Sequence, residues 1–195
     1  NFLKIRKAGS LAADTLDEVT SYIKPGVRTK KIDTFCYEYI RDNGGYSAPL
    51  FYRGFPKSCC TSANHVICHG IPGNKELRDG DILNIDVTAI VDGWHGDTSR
   101  MFTIGEASPK IKSLIQTTFE SMMKGISIIK EGIYTGDIGF EIQNYVENYD
   151  LNELSSNKNL QVNLETLLDI EQIAIGAFSP LKGFMNKDEI NSVLE

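Results

Sequence analysis

Apolar residues recur near the start of the chain at Leu3, Ile5, Leu11, Leu16, Val19 and Ile23, close to a 3.6-residue period, and stop at Pro25-Gly26. That spacing predicts an amphipathic helix over 3–23 with a breaker behind it. Thr29 is placed to cap a second helix, whose apolar stripe is Ile32, Phe35, Cys36, Tyr39 and Ile40 and which Gly44-Gly45 ends. From 46 to 105 the pattern turns to short β-rich segments separated by Gly, Pro, Asn and Asp. A third helix is expected after Pro109, with Ile111, Leu114, Ile115, Phe119, Met122, Ile126 and Ile129 on its apolar side, and a fourth from about Thr135 to Asn148.

The two helix pairs resemble each other. Lys24-Pro25-Gly26-Val27-Arg28-Thr29 and Ile32 can be laid over Lys130-Glu131-Gly132-Ile133-Tyr134-Thr135 and Ile138, and the same offset puts Tyr39-Ile40 over Tyr145-Val146. Breaker, cap and stripe fall in register, which reads as an internal repeat of helix, breaker, helix. The first copy is followed by about sixty β-rich residues, whereas after Tyr149 the chain turns polar (Asn152, Ser155, Ser156, Asn157) and then helical. The repeat is interrupted.

Within the β-rich section, 84–102 reads as two strands joined by a tight turn at Asp92-Gly93, a strong signal for a two-residue type I′ hairpin. Counting outward from that turn puts Val91 opposite Trp94, Thr88 opposite Asp97 and Asp86 opposite Ser99, so Asp86 and Asp97 are expected to be diagonal neighbours on one face, roughly 7–8 Å apart at the backbone. Asp86 interrupts an apolar strand between Ile85 and Val87, where a carboxylate is costly unless something pairs with it. A strand-end aspartate capping a loop is the competing reading, and the central position disfavours it. Asp97 alone reads equally as a turn residue beside Gly96. Together the two carboxylates repel unless a cation neutralises them, and hard oxygen donors suit divalent metals, as in hydrolytic centres whose two ions lie about 3.5–4 Å apart. His69 sits where a strand meets a Gly/Pro turn, a place where a lone histidine is more often a surface residue; His65 and His95 are given no role.

The 195 residues are enough for one or two domains, and 41% hydrophobic with 24% charged residues is an ordinary globular composition. A net charge of −6 and a pI near 5.2 argue against a general binder of nucleic acid or anionic membrane. There is neither a membrane-length apolar run nor a signal-peptide core. Cys36, Cys59, Cys60 and Cys68 follow no metal-binding spacing and read as reduced thiols of a cytoplasmic protein, with Cys59 and Cys60 alternating across a strand. The chain does not begin with Met, so a fragment or processed product is expected.

Several motifs then converge. The 66–72 run, Asp79-Gly80-Asp81 leading into Asn84-Ile85-Asp86-Val87, the 93–99 run, and the ten residues between Asp86 and Asp97 resemble type I methionine aminopeptidase. Tyr52, Gly54, Pro56-Lys57-Ser58 and Lys24-Pro25-Gly26 are similar too, so that the resemblance covers 1–149. It implies an α+β, pita-bread (creatinase/aminopeptidase-like) fold of two pseudo-symmetric halves around a dinuclear metal centre. It also implies that Asp86 and Asp97 match metal-ligating aspartates, and that His69 matches the histidine contacting the scissile peptide. Tyr52, Phe55 and Cys60 match positions around the methionine side chain, Phe55 standing where a tyrosine is common. The implied cofactors are two divalent metal ions (Mn, Fe, Co or Zn), the implied partner is the N-terminal Met of nascent peptides, and the implied activity is removal of that Met.

The resemblance also shows what is missing. One histidine and two glutamate ligands, and a second catalytic histidine, belong to the family's second β section; this chain has no His after His95 and neither a Gly-His-Gly-Ile nor a Thr-Ile-Glu-Pro motif. Three of five ligand residues have no counterpart. Instead, Asp169-Ile170-Glu171, the 176–186 run and Asn191-Ser192-Val193-Leu194-Glu195 resemble the N-terminal PUA-like domain of ATP sulfurylase, without that enzyme's nucleotide-binding motifs. The expected organisation is an incomplete pita-bread domain over 1–149 and a mostly helical, sulfurylase-like fragment over 150–195. The chain is expected to be of methionine aminopeptidase lineage and incomplete or inactive alone, the alternatives being a non-catalytic binding module or a chimeric or truncated product without activity. Missing strands would leave a sheet uncovered, which predicts oligomerisation.

Overall fold

The computed structural model describes residues 1–148; the sulfurylase-like segment and the helical reading of 150–195 lie outside the described residues. The described residues fall into two compact units, 1–106 and 107–148.

The first unit opens with α1 (Phe2–Val19), which tightens into a 3-10 turn at Thr20–Tyr22 before Pro25 and Gly26 reverse the chain into α2 (Thr29–Asp42). Leu11, Leu16 and Val19 of the predicted stripe are buried, but Leu3 is exposed and Ala8 and Ala12 complete the inward face. The small side chains let α1 lie close to the sheet. Thr29 is not the N-cap. Arg28 holds that position, and the Thr29 hydroxyl instead accepts a hydrogen bond from Gly73 N at 2.9 Å, while Thr29 N and Lys30 N donate to the carbonyls of Lys75 and Gly73. The free amides at the start of α2 are thus satisfied by a distant loop rather than by a local side chain, which a local reading cannot see.

The sheet is antiparallel and centred on β3 (Ile82–Val91). One edge of β3 pairs with β1 (Tyr46–Ser47) near its end and with β2 (Cys60–Ala63) near its start; β4 (Trp94–Thr103) pairs along the whole of the other. The β3–β4 register is the one counted from the sequence: Val91 faces Trp94, Thr88 faces Asp97 and Asp86 faces Ser99, without a bulge. Asp92 and Gly93 have φ of 51° and 79°, as a type I′ turn requires.

Alternation along β3 divides the unit. Leu83, Ile85, Val87, Ala89 and Val91 point into a core shared with α1 and with Ile32, Cys36 and Ile40 of α2. At Gly96 the helix comes so near that a Cβ would lie 2.1 Å from Gly9 N. Asn84, Asp86, Thr88 and Ile90 face the other way and are only partly buried.

The second unit comprises α3 (Pro109–Ser127), capped by Ser108, and α4 (Thr135–Glu147). Helix boundaries repeat those of the first pair: Thr135, like Thr29, is the first helical residue, and Gly132, like Gly26, turns with φ near 90° (88° and 86°). On α3 the buried residues are the small ones, Thr117, Ser121 and Gly125, while Phe119 and Ile129 of the expected stripe are exposed. Gly125 admits Ile138 and Ile142 of α4 to contact distance. Among the described residues, no helix is long and apolar enough to cross a membrane.

Candidate metal and substrate site

The face of β3 turned away from the core forms the floor of a cavity of about 750 Å³, within the size range of small-ligand sites. Asp86, Thr88 and Ile90 contribute from β3, and Asp97 and His95 from the paired positions of β4. The carboxylates converge: the Asp86 carboxyl shares a hydrogen bond with that of Asp97, and Thr88 Oγ1 donates to Asp97 Oδ1 at 2.8 Å. Burial first, and then the negative charge and hydrogen bond of Asp97, push the Asp86 carboxyl up to about 7. Such a pair holds either a proton or a cation between its oxygens.

The walls come from three further segments. Cys60 opens β2 directly opposite Asp86; burial, followed by the charges of Asp86 and Asp97, pushes its thiol up to about 12, so it stays protonated. The 51–55 loop is folded by hydrogen bonds from Phe51 N to Phe55 O (2.8 Å) and from Phe55 N to Tyr52 O (2.9 Å), with Phe51 and Arg53 at φ of 69° and 47°. That turn places Tyr52 and Phe55 on the cavity, Tyr52 half-exposed at its rim.

His69 stands at the mouth, held by its neighbour. Gly70 O accepts from Thr61 N at 2.7 Å and Gly70 N donates to Ser62 Oγ at 3.1 Å, zipping the loop onto β2. A Cβ on Gly70 would sit 2.3 Å from Thr61 O, so only glycine allows this contact.

All six residues singled out from the sequence, Tyr52, Phe55, Cys60, His69, Asp86 and Asp97, therefore line one cavity. Sequence reasoning left out His95, which also lines it, half-buried, its imidazole pKa lowered by burial and only partly restored by Asp97. The signal was present: His95 is two residues from Asp97 on the same strand and must share its face. Thr88 and Ile90 follow from the same parity.

Two carboxylates in contact fit the acidic part of a divalent-cation site. Among the described residues, no group of three or more His, Cys, Asp or Glu side chains is placed to hold a metal ion. The two aspartates are thus, among the described residues, fewer donors than a closed metal site uses.

Over residues 3–167 the chain matches the model of metallopeptidase family M24. It is 53% identical over 150 residues to methionine aminopeptidase of Rickettsia prowazekii, covering 77% of this chain and 58% of that one. The crystal structure of methionine aminopeptidase from Rickettsia prowazekii superposes with a TM-score of 0.75 at 53% identity, over 76% of this chain and 60% of that one. That of Thermotoga maritima methionine aminopeptidase gives 0.72 at 34% identity, over 74% and 59%. An Xaa-Pro dipeptidase from Bacillus anthracis shares the fold, with a TM-score of 0.69 at 21% identity over 78% of this chain and 41% of that one. The chain thus spans little more than half the length of its aminopeptidase relatives, and the fold is the α+β, pita-bread type of these neighbours. By the family model's match across most of its length, the chain belongs to metallopeptidase family M24.

Proposed function

We propose that this chain carries the substrate-side half of a methionine aminopeptidase, and that its cavity receives the N-terminal Met of a nascent peptide in the cytoplasm. The observation that carries the reading is the single cavity that joins the Asp86–Asp97 pair to the Tyr52, Phe55 and Cys60 wall and to His69. In this reading Asp86 and Asp97 hold divalent metal (Mn, Fe, Co or Zn), Thr88 orients Asp97, and the apolar wall takes the thioether side chain. His69, exposed at the mouth, donates to the carbonyl of the peptide bond to be cut. Asp86 and Asp97 would hold such a cation, whose chemistry there would be Lewis acidity and activation of water.

Family membership implies divalent metal ions; the described residues supply only part of what would hold them. Its sequence has no histidine after His95 to add to the two aspartates. The proposal is accordingly binding without efficient turnover by these 195 residues alone. Manganese or cobalt titration with hydrolysis of a Met-Ala-Ser peptide tests it. Metal-dependent peptide binding with no measurable release of methionine is expected. Turnover that disappears on Asp86→Ala or Asp97→Ala would show a complete catalytic centre and overturn the incompleteness. Absence of any metal or peptide binding would overturn the lineage reading of the cavity.

A further inference from the structure

The Pro56-Lys57-Ser58 segment lies between two residues that line the cavity, Phe55 and Cys60. Pro56 lines the cavity as well, whereas the side chains of Lys57 and Ser58 reach Asp33 on α2. There, Asp33 is a buried carboxylate, 8% exposed, on the helix face that also buries Ile32, Cys36 and Ile40. Its Oδ1 accepts from Ser58 N at 2.8 Å and from Ser58 Oγ at 2.7 Å, and its Oδ2 lies 3.2 Å from Lys57 Nζ. The Ser58 hydroxyl also lies 3.0 Å from the Asp33 carbonyl oxygen, and Cys59 Sγ lies 4.0 Å from Oδ1. One side chain therefore grips two consecutive residues through both of its oxygens.

Burying a carboxylate is costly, and the cost is met only if donors surround it. Here three donors do so, and all belong to one short segment rather than to the helix that carries the acid. An apolar residue at position 33 would serve α2 packing as well, as Ile32 and Cys36 do beside it. What the acid adds is a fixed position and direction for residues 57 and 58. Because the chain between Phe55 and Cys60 is short, fixing its middle fixes both ends.

We propose that Asp33 is a positioning residue for the cavity wall. Through Lys57 and Ser58 it sets where Phe55 and Cys60 stand, and hence the fit of the methionine side chain. The substrate named here rests on the functional reading above; the positioning of the wall does not.

The test compares the full chain with its Asp33→Asn and Lys57→Met variants. Iodoacetamide labelling, read by mass spectrometry, reports the wall through Cys60 (6% exposed) and the core through Cys36 (0% exposed). Losing a charge-assisted grip should open the wall locally, so Asp33→Asn is expected to speed Cys60 labelling about tenfold with Cys36 changed less than about twofold. L-methionine affinity should fall about fivefold while Mn2+ affinity at Asp86 and Asp97 changes less than about twofold. Equal acceleration at Cys60 and Cys36 would mean a general loosening and overturn the proposal, as would an unchanged Cys60 rate. If Asp33→Asn does not fold, Lys57→Met removes one contact only. It should then speed Cys60 labelling about threefold with Cys36 unmoved, and an unchanged Cys60 rate in that folded variant overturns the proposal. If the unaltered chain binds no L-methionine, the functional reading fails, and the labelling ratio still decides the role of Asp33.

Discussion

The two faces of β3 are built from alternate residues of one strand, yet they obey opposite rules. Ile85 and Val87 are fully buried against α1 and α2, and what they require is volume and apolarity. Asp86 and Thr88, their immediate neighbours, face a cavity in which a carboxylate is held against another carboxylate. One face lowers the free energy of the fold; the other raises it unless a proton or a cation is bound. The comparison teaches that a costly strand face, backed by a rigid one, is itself the mark of a site. The largest effect should come from the inexpensive face. Ile85→Ala leaves a hole at the centre of the core and is expected to cost about 3–4 kcal/mol in urea unfolding, with Mn2+ affinity of the folded protein retained. Loss of metal binding without loss of stability would erase the distinction between the faces.

Substitutions on the other face should reverse that pattern. Asp86→Ala and Asp97→Ala each remove one of two carboxylates, and each is expected to weaken Mn2+ binding at least about tenfold by calorimetric titration. Metal-free stability should hold or rise, because a like-charge contact disappears.

The pH dependence sharpens this. The Asp86 carboxyl is raised from 3.8 to about 7 by burial and by Asp97, so between those values the folded chain takes up a proton that the unfolded chain does not. Metal-free stability from this group therefore grows as pH falls from about 7 towards 4, and is lost as pH rises through about 7. Asp86→Asn is neutral throughout. In the absence of metal it should melt about 3–6 °C above the unaltered chain at pH 8, and the gap should shrink steadily down to pH 4. A gap that stays constant with pH would mean that ionisation of Asp86 is not what destabilises this face.

How far the sequence revealed these faces depends on the range of the interactions. The hairpin register was legible because Asp92-Gly93 fixes the turn, and everything up to Asp86 and Asp97 follows by counting. The helix pairs and their repeat were legible from periodicity and breakers. His95 is readable by the same parity, two residues from Asp97, although its place just after the turn gives it no role by itself. The N-terminus of α2 was not readable, since its amides are satisfied by a loop some forty residues away, around Gly73. Nor was Asp33, whose donors at 57 and 58 are brought to it only by tertiary folding. On α3, the expected apolar stripe failed at Phe119 because helix contact there favours small residues such as Gly125, a preference that hydrophobicity does not encode.

The finest test lies on the costly face itself. Thr88 Oγ1 donates to Asp97 Oδ1 at 2.8 Å, leaving the other oxygen of that carboxylate free of this bond. If the hydroxyl only orients Asp97, Thr88→Val keeps the shape and removes one hydrogen bond, with an expected loss of about threefold in Mn2+ affinity. Thr88→Ser, which keeps the hydroxyl, should restore it. Unfolding should be nearly unaffected by either, because position 88 is turned away from the core. A loss as large as that of Asp97→Ala would make the hydroxyl a direct partner of the metal. The costly face would then be a three-residue site rather than a pair with a support, and the boundary between orienting and binding groups would run through Thr88 itself.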